Sequence, residues 1–202
     1  MKKTIIDLFE SSVEKFGAKP FLLEKTTGEF EPTTYAETRE IALTTGAGLV
    51  ALGIEPKQAV SILAEGCNNW ILSELGLLYA GAISVPLSIK LGEANDLLFR
   101  LIHGDVKYIM VSGTQLKKIR SIKDQLTLVE KVIVFDEQKE YEDKEIALND
   151  VLNLGDEFLK THTMEEFLSV GRSIQNDDYA TITYTSGTTA DPKGVVLTHR
   201  NY

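Results

Sequence analysis

The sequence has few of the residues that build disulfide or zinc sites. It contains one cysteine, Cys67, and three histidines among 202 residues. One cysteine cannot form an intrachain disulfide, which suits a reducing compartment, and we expect a cytoplasmic protein. The histidines His103, His162 and His199 lie too far apart in sequence for the ligand spacing of a zinc site. We therefore expect neither a disulfide scaffold nor a zinc centre.

Positive charge and long apolar runs are also scarce. Lysine and arginine number 21 against 30 aspartates and glutamates, which gives a net charge of −9. Proteins that grip a nucleic-acid backbone are usually basic, so nucleic acid is not the expected partner. Asp7 and Glu10 interrupt the apolar run behind the basic N-terminus, unlike a secretory signal. No run approaches the ~18 apolar residues of a membrane span, and we expect no transmembrane segment.

What remains is the composition of an ordinary globular domain, 43% hydrophobic and 25% charged. Apolar segments with strand character alternate with segments of helical periodicity. This alternation predicts an α/β fold, with a mostly parallel sheet flanked by helices. Strands are expected at 58–63, 83–86, 108–111 and 131–135, and helices at 68–80, 93–102 and 115–125.

The two ends of the chain give further predictions. A helix is expected at 5–16, then a hairpin of 20–25 with 29–33, then a helix from Thr34 to about Leu52 with Glu37 completing a capping box. The charged stretch 136–145 is predicted to be a solvated loop. Helices are expected at 147–159 and 164–170, and a second hairpin is expected to pair 181–184 with 195–198.

The loop of this second hairpin concentrates hydroxyls, glycine and a lysine. Glycine lets backbone N–H groups approach an anion, and Pro192 fixes the backbone before Lys193. The order excludes a Walker A loop, because no glycine precedes Lys193 and glycine follows it. We favour a phosphate-binding loop over a plain turn. The residues expected to hold the phosphates are Thr185, Ser186, Gly187, Thr188, Thr189 and Lys193.

Two residues are weaker candidates, each considered as a catalytic nucleophile. Ser186 has no Gly-x-Ser-x-Gly elbow around it. Cys67 precedes a predicted helix, where a thiolate could be favoured, but a structural or incidental cysteine is the better interpretation. No catalytic residue is therefore assigned.

The loop and its surroundings match a known pattern. Residues 185–194 resemble the phosphate-binding signature of the adenylate-forming enzymes, which include acyl- and aryl-CoA synthetases, peptide-synthetase adenylation domains and firefly luciferase. Gly171 and Arg172 upstream make the chain most similar to the long-chain fatty acyl-CoA synthetases. The resemblance also covers 177–184, 195–201, 34–37, 60–63 and 78–87.

The resemblance implies an activity and its cofactors. A carboxylate would attack the α-phosphorus of Mg-ATP to give an acyl-adenylate and pyrophosphate, and coenzyme A would then take the acyl group. Thr185 matches the position of a candidate Mg²⁺ contact. Residues 1–202 would be the N-terminal portion of the large AMP-binding domain, ending after the phosphate-loop hairpin, with an incomplete sheet.

Two departures from the family bear on activity. Ala190 stands where the family usually has glycine, which would strain the loop only if that position needs a positive φ. The family's later acidic motif, ribose-binding aspartate and C-terminal lysine have no counterpart here, so this piece alone is expected to be inactive.

Alternative functions stay open. The acid could be an aryl, short-chain or amino acid, because most of the family's acyl pocket lies beyond these residues. The chain could also be a non-catalytic phosphate-binding module. Self-association through the open sheet edge is expected, and a full-length enzyme could associate peripherally with a membrane.

Overall fold

The computed structural model describes residues 4–25, 28–185 and 192–202. The chain starts with helix α1, Ile5–Phe16, and an antiparallel hairpin of β1, Pro20–Lys25, and β2, Phe30–Thr34. Helix α2, Tyr35–Ala51, follows at once. Thr34 caps α2 in a box with Glu37, as predicted, and this reciprocal bonding satisfies backbone N–H groups of the first turn.

Strands and helices then alternate along the chain. This part comprises β3 Ala59–Leu63, α3 Asn68–Tyr79, β4 Ile83–Pro86, α4 Ala94–His103, β5 Tyr108–Val111, α5 Gly113–Arg120 and β6 Lys131–Val134. It is followed by β7 Glu145–Ala147, α6 Leu148–Thr161, α7 Met164–Arg172, β8 Tyr179–Thr185 and β9 Lys193–Thr198. Short 3-10 turns lie at Lys123–Gln125 and His199–Asn201.

Seven strands form one sheet in the order β7-β6-β5-β3-β4-β8-β9. Every neighbouring pair from β7 to β8 is parallel, and only β8 with β9 is antiparallel. The predicted α/β fold with a mostly parallel sheet is confirmed. Because parallel strands end at the same sheet edge, the loop after β8 starts at the edge where ligands of such sheets usually bind.

Helices cover both faces of the sheet. On one face, Leu97 of α4 and Leu116 of α5 pack in a cluster with Leu63 and Ile109. On the other face, a cluster unites apolar side chains of the sheet and the helices: Leu49 of α2, Leu77 of α3, Val151 of α6, Ile62 and Met110. Neighbouring strand residues such as Ile62 and Leu63 belong to opposite clusters, which is the period of two expected of a strand buried on both faces.

Helices α2 and α6 approach so closely that only glycine fits between them. A Cβ atom on Gly155 would lie 2.0 Å from the carbonyl oxygen of Thr44, and one on Gly48 would lie 2.0 Å from the carbonyl oxygen of Val151. Such distances lie far inside van der Waals contact. These two glycines therefore let the two helix backbones touch.

Two sequence predictions differ from the structure. The charged stretch 136–145 is not all loop, because Glu145 starts strand β7 at the sheet edge. Its side chain is 4% exposed and its carboxylate bonds Arg120 at 2.8 and 2.7 Å, so this charge is paired where it leaves solvent. Helix α5 starts at Gly113 and ends at Arg120, whereas the pattern predicted 115–125; the later residues form a 3-10 turn.

Candidate functional site

The β8–β9 hairpin brings the two ends of the predicted phosphate loop together. Thr185 is in register with Lys193, and the Thr185 hydroxyl lies 3.5 Å from the Lys193 carbonyl oxygen. Both side chains are exposed. The mouth of the loop therefore presents one hydroxyl and one ammonium group to solvent. The other predicted phosphate contacts, Ser186, Gly187, Thr188 and Thr189, lie outside the described residues, as does Ala190.

Tyr184 anchors the C-terminal end of β8 to helix α4. Its hydroxyl lies 2.8 Å from Nδ1 of His103, and the guanidinium of Arg100 lies 5.9 Å from its ring centroid. Arg100 is buried and donates to the backbone carbonyl of Asp96 at 2.6 Å. Burial raises the pKa of Tyr184, although the positive charge of Arg100 acts against this, so the phenol is neutral at physiological pH. This contact fixes where the loop leaves the sheet.

Sequence reasoning missed this anchor. His103 is the last residue of α4, and its side chain is exposed. Arg100 and His103 lie one turn apart, which puts them on one face of α4. That spacing was the available signal, but basic residues in a last helical turn are common because they complement the helix dipole.

The base of the hairpin is tied to the N-terminal part of the chain. Lys57 binds the carboxylate of Asp178 at 2.8 Å, and this bond is the main reason that the pKa of Asp178 is lowered. His199 is buried, and its Nδ1 accepts a long bond of 3.4 Å from the backbone N–H of Ile5. Burial lowers the pKa of His199 despite the nearby carboxylates of Asp178 and Asp7. His199 therefore joins α1 to the end of β9 in its neutral form.

Cys67 lies at the start of α3 and lines a cavity of about 490 Å³ with Glu24, Glu65 and Asp136. Burial raises the pKa of its thiol, and the charges of Glu24 and Asp136 act in the same direction. A raised pKa leaves little thiolate near neutral pH. This direction supports the interpretation of Cys67 as a structural or incidental cysteine.

The remaining site predictions concern metals and membranes. His162 directly follows α6 and stacks on Phe158 with ring centroids 4.0 Å apart. Within 4–25, 28–185 and 192–202 there is no group of three or more histidine, cysteine, aspartate or glutamate side chains that could hold a metal ion. Over the same described ranges, no helix is long and apolar enough to cross a membrane.

The groups at the loop mouth fit a polyphosphate and its counter-ion. A hydroxyl oxygen such as that of Thr185 is a hard ligand of the kind Mg²⁺ prefers. The ammonium of Lys193 supplies a charge that can pair with phosphate oxygens, and both groups lie on the solvent side where a nucleotide could reach them.

Comparisons with known proteins match nearly the whole chain, including this loop. The sequence profile described as "AMP-binding enzyme" matches residues 9–202. A long-chain-fatty-acid–CoA ligase, ACSBG2 of Rattus norvegicus, is 28% identical over 98% of this chain and 29% of its own length. Long chain acyl-CoA synthetase 1 of Arabidopsis thaliana is 32% identical over 98% of this chain and 30% of its own length.

A solved structure supports the fold independently. The anthranilate CoA ligase AuaEII, crystallised with anthranoyl-AMP, superposes with a TM-score of 0.79 at 21% identity. The superposition covers 98% of this chain and 35% of that protein. The chain also spans only part of the two curated relatives above, namely 29% and 30% of their length.

Proposed function

The chain belongs to the AMP-binding enzyme family, and from this premise we propose that it is part of an ATP-dependent ligase for long-chain fatty acids and coenzyme A. The names of the rat and Arabidopsis relatives support this substrate class. We further propose that residues 1–202 are the N-terminal portion of the large AMP-binding domain, because the chain spans less than a third of either relative.

One observation carries the proposal: the family's signature loop leaves and re-enters the sheet between Thr185 and Lys193, with both side chains facing solvent. In the proposed reaction, a fatty-acid carboxylate oxygen attacks the α-phosphorus of ATP, and the bond to pyrophosphate breaks. The thiol of coenzyme A then displaces AMP from the acyl carbon. The first step needs charge control at the departing pyrophosphate.

The loop's own residues supply that control. Lys193 would pair with oxygens of the β- and γ-phosphates, and the hydroxyls of Thr185, Ser186, Thr188 and Thr189 would donate to them. Gly187 would let the backbone N–H groups come close. Thr185 is also the residue proposed to contact Mg²⁺, which when bound adds positive charge to the same phosphates. Tyr184 would hold the start of the loop through His103.

The proposal also covers the location of the protein and its partners. The protein would act in the cytoplasm, in line with a sequence whose one cysteine cannot form an intrachain disulfide. Its partners would be small molecules, namely fatty acid, ATP and coenzyme A, and the full-length enzyme could bind a membrane surface peripherally. A chain of these residues alone would self-associate through β9, whose outer edge has no neighbouring strand among the described residues.

A panel of acids tests the function. The full-length gene product is assayed for ATP–pyrophosphate exchange with palmitate, oleate, butyrate, benzoate, anthranilate and amino acids. We expect exchange that depends on long-chain acids, followed by thioester formation when coenzyme A is added. Exchange without dependence on any acid, or none at all, would overturn the ligase assignment.

A second candidate is a ligase for another carboxylic acid. The fold does not distinguish it from the first candidate, because an anthranilate CoA ligase shares this fold over 98% of this chain and 35% of its own length. In the panel, selective exchange with an aryl or short-chain acid would establish this alternative. Phosphate binding without exchange would instead indicate the non-catalytic module.

A further inference from the structure

Strand β8 has a narrow attachment to the parallel part of the sheet. The pairing of β4 with β8 has one register pair, Ser84 with Thr181. By contrast, β3 pairs with β4 and with β5 at four positions each. The strand that carries the phosphate loop therefore has few backbone bonds to the parallel strands, although it pairs with β9 at six positions, and side chains help to set its position against β4.

Polar side chains fill this junction although it is buried. Thr181 is 2% exposed and Ser84 is fully buried. The Thr181 hydroxyl donates to the Ser84 carbonyl at 3.0 Å, and the Ser84 hydroxyl donates to the Glu74 carboxyl at 2.5 Å. Three elements, α3, β4 and β8, are thus joined by consecutive hydrogen bonds through one serine. We name Glu74, Ser84 and Thr181 the junction triad.

The hydrogen bonds of the junction triad restrict β8 more than apolar packing would. Buried polar groups are tolerated only when bonded, and an apolar valine at position 181 would fill the same volume as threonine. The hydroxyl adds a directional contact. A hydrogen bond resists sliding of β8 along its own axis relative to β4, whereas apolar packing resists this sliding less. Thr181 lies four residues before Thr185, so an axial shift of β8 would move the loop mouth.

We propose that the junction triad is a positioning device that sets the place of the phosphate loop through strand β8. This inference rests on the proposed function for its kinetic consequences. The triad does not touch the phosphates. It acts through Thr181 on β8, and through β8 on Thr185 at the mouth of the loop.

Valine keeps the shape of threonine and lacks only its hydroxyl, whereas serine keeps the hydroxyl and lacks a methyl group. Thr181→Val removes the donor, Thr181→Ser restores it, and Thr183→Val makes the same change at an exposed position two residues further along β8. In the full-length protein, we expect Thr181→Val to raise the KM for MgATP about 5- to 30-fold, within what one lost buried hydrogen bond allows. The KM for the fatty acid should change less than about twofold, since the loop does not hold the acid.

Amide hydrogen exchange gives a readout that does not need activity. Loss of the junction bond should speed exchange in β8 and β9 of Thr181→Val, while β3 and β5 keep wild-type rates, because local opening follows local bonding. Thr181→Ser should restore both the KM and the exchange pattern, and Thr183→Val should leave both near wild type.

The outcomes separate this inference from the function. If wild-type protein shows no acid-dependent exchange of pyrophosphate, the ligase proposal fails, and the amide-exchange comparison still decides on the triad. Wild-type kinetics and amide exchange in Thr181→Val would refute the positioning role. So would a loss that Thr181→Ser does not restore, or an equal loss in Thr183→Val.

Discussion

Glu74 should make the protein less stable as the pH rises towards neutrality. Its side chain keeps some exposed surface, yet its carboxyl group lies among protein atoms next to Ser84. Burial raises the pKa of Glu74 from 4.5 to about 7, and the hydrogen bond from Ser84 opposes this only in part. Tyr202 is a titratable group facing it; burial and the charge of Glu74 raise the pKa of Tyr202. Glu74→Gln removes the titration and keeps an oxygen acceptor for Ser84.

The size of the effect follows from the two pKa values. The folded state holds the proton more tightly than the unfolded chain, so the stability that this proton confers is complete below pH 4.5 and is lost as the pH rises through 7. A difference of about 2.5 pKa units at about 1.36 kcal/mol each gives about 3 kcal/mol as an upper bound. Wild type should therefore lose up to about 3 kcal/mol relative to Glu74→Gln between pH 4.5 and 8.

Urea unfolding at several pH values measures this loss. Trp70, the one tryptophan of the sequence, lies in the same helix as Glu74 and reports the transition by fluorescence. Glu14→Gln, at an exposed position of α1, is the matched control and should run parallel to wild type. If wild type and Glu74→Gln also run parallel from pH 5 to 8, Glu74 does not titrate in this range and the reasoning from its burial is wrong.

Two further predictions concern helix packing and the sheet edge. Gly155→Ala should destabilise the protein by about 1–3 kcal/mol, because the new methyl group would overlap the carbonyl of Thr44. Thermal unfolding measures this, with Gly66→Ala, whose Cβ would meet open space, as control; equal stability of the two variants would contradict the packing. The 202-residue chain should self-associate through β9, and Val196→Lys, at an exposed position of β9, should shift it towards monomer in light scattering. A wild-type chain that stays monomeric at high concentration would contradict the open edge.

The fold could be predicted from the sequence because its information is local. Each buried strand, such as Ala59–Leu63, is a short apolar run, and helices α1 and α2 begin with capping boxes at Thr4 and Thr34. Strand β7 was missed because it has three residues and starts with a glutamate, whose burial depends on pairing with Arg120. No pattern within 136–145 indicates that Glu145 pairs with Arg120 on helix α5.

The site could be predicted only in part, for a related reason. The loop is a contiguous motif, so its hydroxyls and lysine are visible in the sequence. The groups that hold it are distant: His103 and Tyr184 are 81 residues apart, and Ser84 and Thr181 are 97 apart. Such contacts depend on strand order, and the placement of β8 beside β4 is a property of the folded sheet rather than of any local pattern.

The central claim is that the loop between Thr185 and Lys193 holds nucleotide phosphates. Calorimetric titration of the full-length protein with MgATP tests it most directly, comparing wild type, Lys193→Ala and, as control, Lys15→Ala in the last turn of α1. A charged hydrogen bond contributes about 1.5–3 kcal/mol, so Lys193→Ala should bind MgATP about 10- to 150-fold more weakly, and Lys15→Ala should match wild type. Equal affinity of Lys193→Ala and wild type would contradict the account.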